Sequence, residues 1–147
     1  MRIVPVDETN IASAGWLHSV SWRESRGNLS FGEFISCHTP AAQEAYLRQA
    51  IAGGKQVFLL LDEDAVGIVS VDGNLIENLY VLPEAQGRGC GTALLDYAME
   101  QCQGVPTLWV LSGNLAALRL YERRGFVRTG NTVTRAGLCQ VELQYRP

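Results

Sequence analysis

The 147-residue sequence has a single lysine, Lys55, and only two histidines, His18 and His38. Nucleic-acid affinity that is independent of sequence comes from clustered Lys and Arg. A chain with net charge −3 and no basic run does not supply it, so no nucleic-acid partner is expected. The four cysteines, at 37, 90, 102 and 139, form no CxxC pair, and the histidines lack a companion at ligand spacing. Reduced thiols and no metal follow. No apolar run reaches the ~18 residues that would mark a bilayer span, so no membrane partner is expected. The opening MRIVPVDETN lacks the basic, apolar and small-residue regions of a secretion signal, which makes the cytoplasm the expected compartment. There is no repeat, low-complexity tract or linker. Residues 1–147 are expected to form one domain, and 47% apolar composition is enough to core it.

What is present is unevenly distributed. Residues 1–84 carry eleven acidic and five basic side chains, net −6, whereas residues 85–147 carry four and seven, net +3. The basic half suits a small polyanion, or else Arg119, Arg123, Arg124 and Arg128 solvate one helix and its exit. The acidic half favours a cationic ligand.

The coarse element order is mixed. Ile3 to Val6 reads as a strand, and Asn10 to Glu24 as a helix with Ile11, Ala14, Trp16, Leu17 and Val20 as a rough apolar stripe, Trp16 in the core. Thr39-Pro40 predicts a capped helix start and Gly53-Gly54 its end. Gln56–Leu61, Val66–Val71 and Leu75–Val81, separated by turn residues, predict an antiparallel meander. Leu94, Leu95, Ala98, Met99 and Cys102 recur at helical spacing before the short strand Thr107–Leu111. This strand, helix, strand unit is long enough for a right-handed parallel crossover. Asn114 caps a further helix that stops at Gly125, and Phe126 onward supplies closing strands. The expected fold class is α/β in the α+β sense: a mostly antiparallel sheet, one splayed parallel pair, and about four helices.

Between the meander and the helix that follows it lies PEAQGRGCGTALL, Pro83 to Leu95. Glycines at 87, 89 and 91 let backbone N–H groups converge without Cβ atoms in the way, and a helix N-terminus adds positive potential. Such a loop suits phosphate. No Gly-Lys-Ser/Thr follows, and Thr92 replaces the third glycine of a dinucleotide fingerprint, so both nucleotide motifs fail. A tight strand-to-helix connection is the plain structural alternative.

Gln86-Gly87-Arg88-Gly89-Cys90-Gly91 resembles the Q/R-x-x-G-x-G/A acyl-CoA loop of the GNAT family of N-acetyltransferases, and Leu79 to Pro83 resembles the strand that precedes it. Leu108 to Phe126, with Asn114, Ala117, Tyr121, Gly125 and Phe126 at matching spacing, is similar to that family's fifth strand, fourth helix and step into the sixth strand. The resemblance covers most of the chain. It implies acetyl-CoA as acyl donor, with backbone groups of Leu79, Tyr80 and Val81 on the pantetheine arm. The amides of Gly87, Arg88, Gly89, Cys90, Gly91 and Thr92 would hold the pyrophosphate, with Gln86 and the Arg88 side chain beside them. Asn114 would contact the arm, and Tyr121, seven residues on and so on the same helix face, would reach the sulfur as general acid.

For a base, alternation along the strand puts Glu77 on the face of Leu79 and Val81, towards the cleft. Family members that place a glutamate two residues earlier have their counterpart in Leu75, and those with one late in the fifth strand have theirs in Trp109. Glu77 therefore acts directly, through water, or in binding a cationic substrate, or it is an exposed strand residue. Cys90 has no histidine nearby in sequence and is not read as a nucleophile. The resemblance also suggests Trp22, Phe31 and Phe34 for the acceptor pocket, a small-molecule or peptide amine as acceptor, and a homodimer through the C-terminal strands. N-terminal protein acetylation of the ribosomal-protein type, and a non-catalytic acyl-CoA-binding module, remain as alternatives.

Overall fold

A computed structural model of the protein describes residues 1–25 and 39–147, with side chains placed for 1–21 and 39–147. Along the chain run β1 (Arg2–Pro5), α1 (Ile11–Ser25), α2 (Pro40–Ala52), β2 (Gln56–Asp62), β3 (Asp64–Asp72), β4 (Leu75–Val81), a single 3₁₀ turn (Pro83–Ala85), α3 (Cys90–Gln101), β5 (Thr107–Leu111), α4 (Leu115–Arg123), β6 (Phe126–Arg135) and β7 (Leu138–Tyr145). The strands form one sheet in the order β1-β2-β3-β4-β5-β7-β6. Every neighbouring pair is antiparallel except β4 and β5. This is the mixed sheet with one parallel pair that the sequence predicts. None of the described helices is long and apolar enough to cross a membrane.

Apolar layers cover both faces of the sheet, which explains the unbroken Val57-Phe58-Leu59-Leu60 run in β2, where a half-solvated strand would alternate. Phe58, Leu60, Val69 and Ile76 face Leu94, Leu95 and Ala98 of α3 and Leu118 and Tyr121 of α4. Val57, Leu59 and Ile68 face Ile11, Ala14 and Leu17 of α1 and Leu47 of α2. Trp16 is a correction to the expected stripe. It is 45% exposed, because the buried face of α1 runs through Ile11, Ala14 and Leu17, and His18 and Ser19 are buried beside them. The His18 ring pairs through Nδ1 with Gln43 Oε1 and stacks on Tyr46 at 5.6 Å.

Helix ends follow the predicted signals. Thr39 Oγ1 accepts from the Ala42 amide at 3.2 Å and Pro40 occupies the first turn of α2. Gly15 lets α2 approach α1: a Cβ there would lie 2.6 Å from Glu44 Cγ and 2.9 Å from the Pro40 carbonyl oxygen.

Two features of β4 shape the site. The β3–β4 register passes from Ser70↔Glu77 to Ile68↔Tyr80, so Asn78 and Leu79 together oppose Val69. Asn78 sits at φ 56°, a left-handed position that asparagine tolerates better than most residues. The β4–β5 pairing consists of Leu75↔Thr107 and Ile76↔Leu108 alone. Beyond it, β4 stays paired with β3 as far as Val81↔Gly67, and β5 with β7 as far as Leu111↔Gln140. Each strand is thus held by its outer neighbour while the inner edges part.

Candidate active site

The gap between the parted strands is a throat of about 200 Å³, walled by Asn78, Leu79, Trp109, Leu111, Asn114 and Tyr121 among others. Tyr121 enters from the α3/α4 side of the sheet. It is only 7% exposed and lies edge-on to Phe126, ring centroids 6.0 Å apart. Burial pushes its phenol up to about 12, so the hydroxyl stays protonated at every ordinary pH.

The throat shares Leu79, Asn114, Ala117 and Leu120 with a larger cleft of about 500 Å³ that ends at the glycine loop. Tyr80, Val81, Gln86, Gly87, Gly89, Cys90, Gly91 and Thr92 all line this cleft. Gly87 and Gly89 have φ of 79° and 81°, values that L side chains rarely adopt. Gly89 is the N-cap of α3 and has no side chain to satisfy the orphan amides. The first backbone bond back into the turn is Ala93 N–H to Gly89 O at 3.0 Å. The amides of Cys90, Gly91 and Thr92 are therefore free of intrahelical acceptors, at the positive end of a twelve-residue helix.

Of the two side chains expected beside the loop, Gln86 lines the cleft there and Arg88 does not. Gln86 donates Nε2–H to the Val81 carbonyl at 2.9 Å and thereby ties the loop to the end of β4. Arg88 pairs with Asp62, Nη1 to Oδ2 3.2 Å, and is not part of the cleft wall. Its place as the nearby cation is taken by Arg123, which lines the cleft from the last turn of α4. Arg124, the next residue, points away and donates Nε–H to Asp96 at 3.0 Å. Charge counting singled out this arginine group, but only helix geometry separates its members. Ser21, the first residue of a segment that resembles the family's substrate-side helices, stands at the wall of both throat and cleft, though it is not among the expected site residues. Asn114 Oδ1 accepts from the Ala117 amide at 3.2 Å, the predicted cap, while lining the throat.

Glu77 is the second correction. The Asn78–Leu79 bulge breaks the alternation, so Glu77 shares a face with Ser70, Ile68 and Tyr80 and not with Val81. It lies on the α1/α2 side, bound to Lys55 (Nζ to Oε1 3.2 Å), whose ammonium also donates to Tyr46 Oη at 3.1 Å. Burial pulls the Lys55 ammonium down, but its bonds to Tyr46 and Glu77 outweigh that and hold it above its ordinary value. Glu77 lines a third cavity, of about 490 Å³, that shares Ile76, Asn78, Trp109 and Gln140 with the throat. Trp22, Phe31 and Phe34, the expected acceptor-side aromatics, lie outside the residues whose side chains are described.

Split strands joining a phosphate-suited loop to a buried phenol define a class of protein that can hold an extended, phosphate-bearing ligand through the sheet. The chain belongs to the GNAT acetyltransferase family: the family model for the Acetyltransferase (GNAT) domain matches residues 28–147. It is 39% identical over 66 residues to the [ribosomal protein bS18]-alanine N-acetyltransferase of Escherichia coli K12, a match covering 42% of this chain and 45% of that protein. The chain spans about half the length of the curated relatives it matches. Among solved structures, a ribosomal-protein-alanine N-acetyltransferase from Brucella melitensis shares the fold at TM-score 0.71 and 20% identity, with 98% of each chain covered. The yncA protein of Salmonella typhimurium, solved with its cofactor acetyl-CoA, does so at TM-score 0.73 and 19% identity, over 99% of this chain and 93% of that one.

Proposed function

We propose that the protein is an N-acetyltransferase that binds acetyl-CoA in the cleft and throat and passes its acetyl group directly to a primary amine. The observation that carries this reading is the continuity of cleft and throat: free helix-terminal amides at one end, the protonated Tyr121 at the other. The pyrophosphate sits on the amides of Gly87 to Thr92 with Arg123 beside it, and the pantetheine arm runs along Leu79 to Val81. This brings the thioester between the parted strands.

The amine nitrogen attacks the thioester carbon, the C–S bond breaks, and the thiolate leaves beside Tyr121. A phenol near 12 and a thiol with an ordinary value of about 8.5 differ by some 3.5 units, or about 5 kcal/mol against full transfer. Tyr121 therefore acts first by donating a hydrogen bond to the developing thiolate, whose own proton affinity rises in the same apolar throat. Glu77 faces the third cavity, on the side from which an acceptor can approach without crossing the donor. In this reading it takes the amine proton through water, with Lys55 fixing its carboxylate.

Calorimetric titration with acetyl-CoA, with CoA, ATP and NAD as controls, tests the donor, and thiol release with an amine panel tests turnover. Micromolar binding of acetyl-CoA but not of ATP or NAD is expected. Binding without turnover of any amine would leave a non-catalytic acyl-CoA-binding module. The match to a ribosomal-protein alanine acetyltransferase favours a peptide N-terminus as a second class of acceptor.

A further inference from the structure

We infer that the third cavity is an acceptor site for an amine that also carries a carboxylate, with Arg135 as the carboxylate-binding residue. This inference rests on the acetyltransferase reading and names the substrate class of that site.

Val133 and Arg135 of β6 and Leu138 and Gln140 of β7 wall the cavity on one side, and Glu77 and Trp109 face them from β4 and β5. The register puts Val133 opposite Gln140 and Arg135 opposite Leu138, so these side chains share one face of the sheet. Among the described residues, Arg135 forms no ion pair, whereas the other charged residue of the wall, Glu77, is bound to Lys55. Among the described residues the cavity thus offers one guanidinium outside any ion pair and one carboxylate that is already in one. A polycation would gain little from the Glu77 end and meet Arg135 at the other. This displaces the cationic acceptor suggested by the acidic half of the sequence, whose excess charge is not gathered at this wall.

Arg135 is also held in place. It is the last residue of β6, and a two-residue turn, Ala136 (φ 51°) and Gly137 (φ 78°), follows it directly. Positive φ at both central residues is the tight hairpin geometry that matches strand twist, so the arginine's backbone has little freedom to leave the cavity rim. Its planar fork matches a carboxylate with two parallel hydrogen bonds. At about 490 Å³ the space falls within the range of small-molecule sites. An amino-carboxylate lying across it places its amine towards Glu77, Asn78 and the throat, and its carboxylate at Arg135.

The test measures thiol release from acetyl-CoA with free α-amino acids, their C-terminal amides, the decarboxylated amines with the same side chains, and a C-terminally amidated, alanine-initiated peptide without acidic residues. The free amino acids should exceed their amides and amines by at least about tenfold in kcat/KM. Arg135→Gln should raise KM for the best acceptor about 10- to 100-fold, the loss of one charge-assisted contact, while acetyl-CoA affinity by calorimetry stays within about twofold. Arg135→Lys should recover part of the loss. Equal use of amides or of the amidated peptide, or an unchanged KM in Arg135→Gln, overturns the inference alone; acetyl-CoA binding with no turnover of any member overturns it and leaves the acyl-CoA-binding module. Failure to bind acetyl-CoA overturns the acetyltransferase reading and this inference together.

Discussion

The two ends of the passage through the sheet are built from different materials. On the glycine-loop side the groups that would recognise a ligand are backbone amides at the start of α3, placed by the left-handed Gly87 and Gly89. On the third-cavity side they would be side chains, Glu77, Trp109, Arg135 and Gln140, drawn from β4, β5 and the β6–β7 hairpin, some sixty residues of chain from first to last. A backbone site depends on a short local pattern and can be read from a dozen consecutive residues. A side-chain site depends on register, and a single bulge reassigns it.

Substitutions at the two ends should separate these materials. The largest effect is expected between them, at Tyr121, which in the proposed reaction stands where both substrates meet. Tyr121→Phe should lower kcat about 10²- to 10³-fold, within the usual range for a placed donor, and leave acetyl-CoA affinity within about twofold by calorimetry. An equal fall in affinity would show a binding role.

At the loop, Gly89→Val forces a β-branched residue to φ 81°. At roughly 1–3 kcal/mol for a strained backbone position, acetyl-CoA binding should weaken about 10- to 100-fold. At the other end, Glu77→Gln should flatten the alkaline-rising limb of kcat/KM, with donor affinity unchanged. A pH profile identical to that of the parent would remove Glu77 from proton transfer.

A smaller contrast lies within the basic residues. Arg123→Ala should weaken acetyl-CoA binding about threefold to tenfold, with a shallower dependence on salt. Arg88→Ala should weaken it less than about twofold, since Arg88 is turned to Asp62 in an exposed pair of little energetic consequence. Reversed magnitudes would mean that Arg88 leaves Asp62 when the ligand arrives.

Tyr121 also gives a test by pH. Its folded value, about 12, lies above the ordinary 10, so its contribution to stability is complete below pH 10 and is lost as pH rises towards 12. The loss is on the order of 2–3 kcal/mol. The alkaline fall in Tm should therefore be shallower in Tyr121→Phe than in the parent.

The same division explains what the sequence made legible. Strand β5 and the caps of α2 and α4 follow from local signals, Thr39-Pro40 and Asn114 among them, and the structure returns them with their expected partners. The glycine loop is equally local. Alternation puts Glu77 on the wrong face because it assumes a regular strand, and the only sequence mark of the bulge is Asn78, one asparagine among other polar residues. Arg88 reads in sequence as a loop cation because its competitor, Asp62, lies at the end of another strand and becomes a neighbour only once β2 and α3 are packed. Trp16 reads as core because an apolar residue near a stripe looks like part of it, whereas the helix turns it outward.

The two-rung junction between β4 and β5 has a consequence for the molecule as a whole. Hydrogen-bonded through it, and at its closed end through Gly73 and Asn74 to Gln103, Val105 and Thr107, are two subassemblies, β1 to β4 on one side and β5, β7 and β6 on the other, which also share the apolar layer beneath. A ligand lying between the parted strands touches both, so its binding free energy is also cohesion between the halves. The abundance of donor then sets how firmly the protein holds together. Starved of it, the chain should open first along this seam.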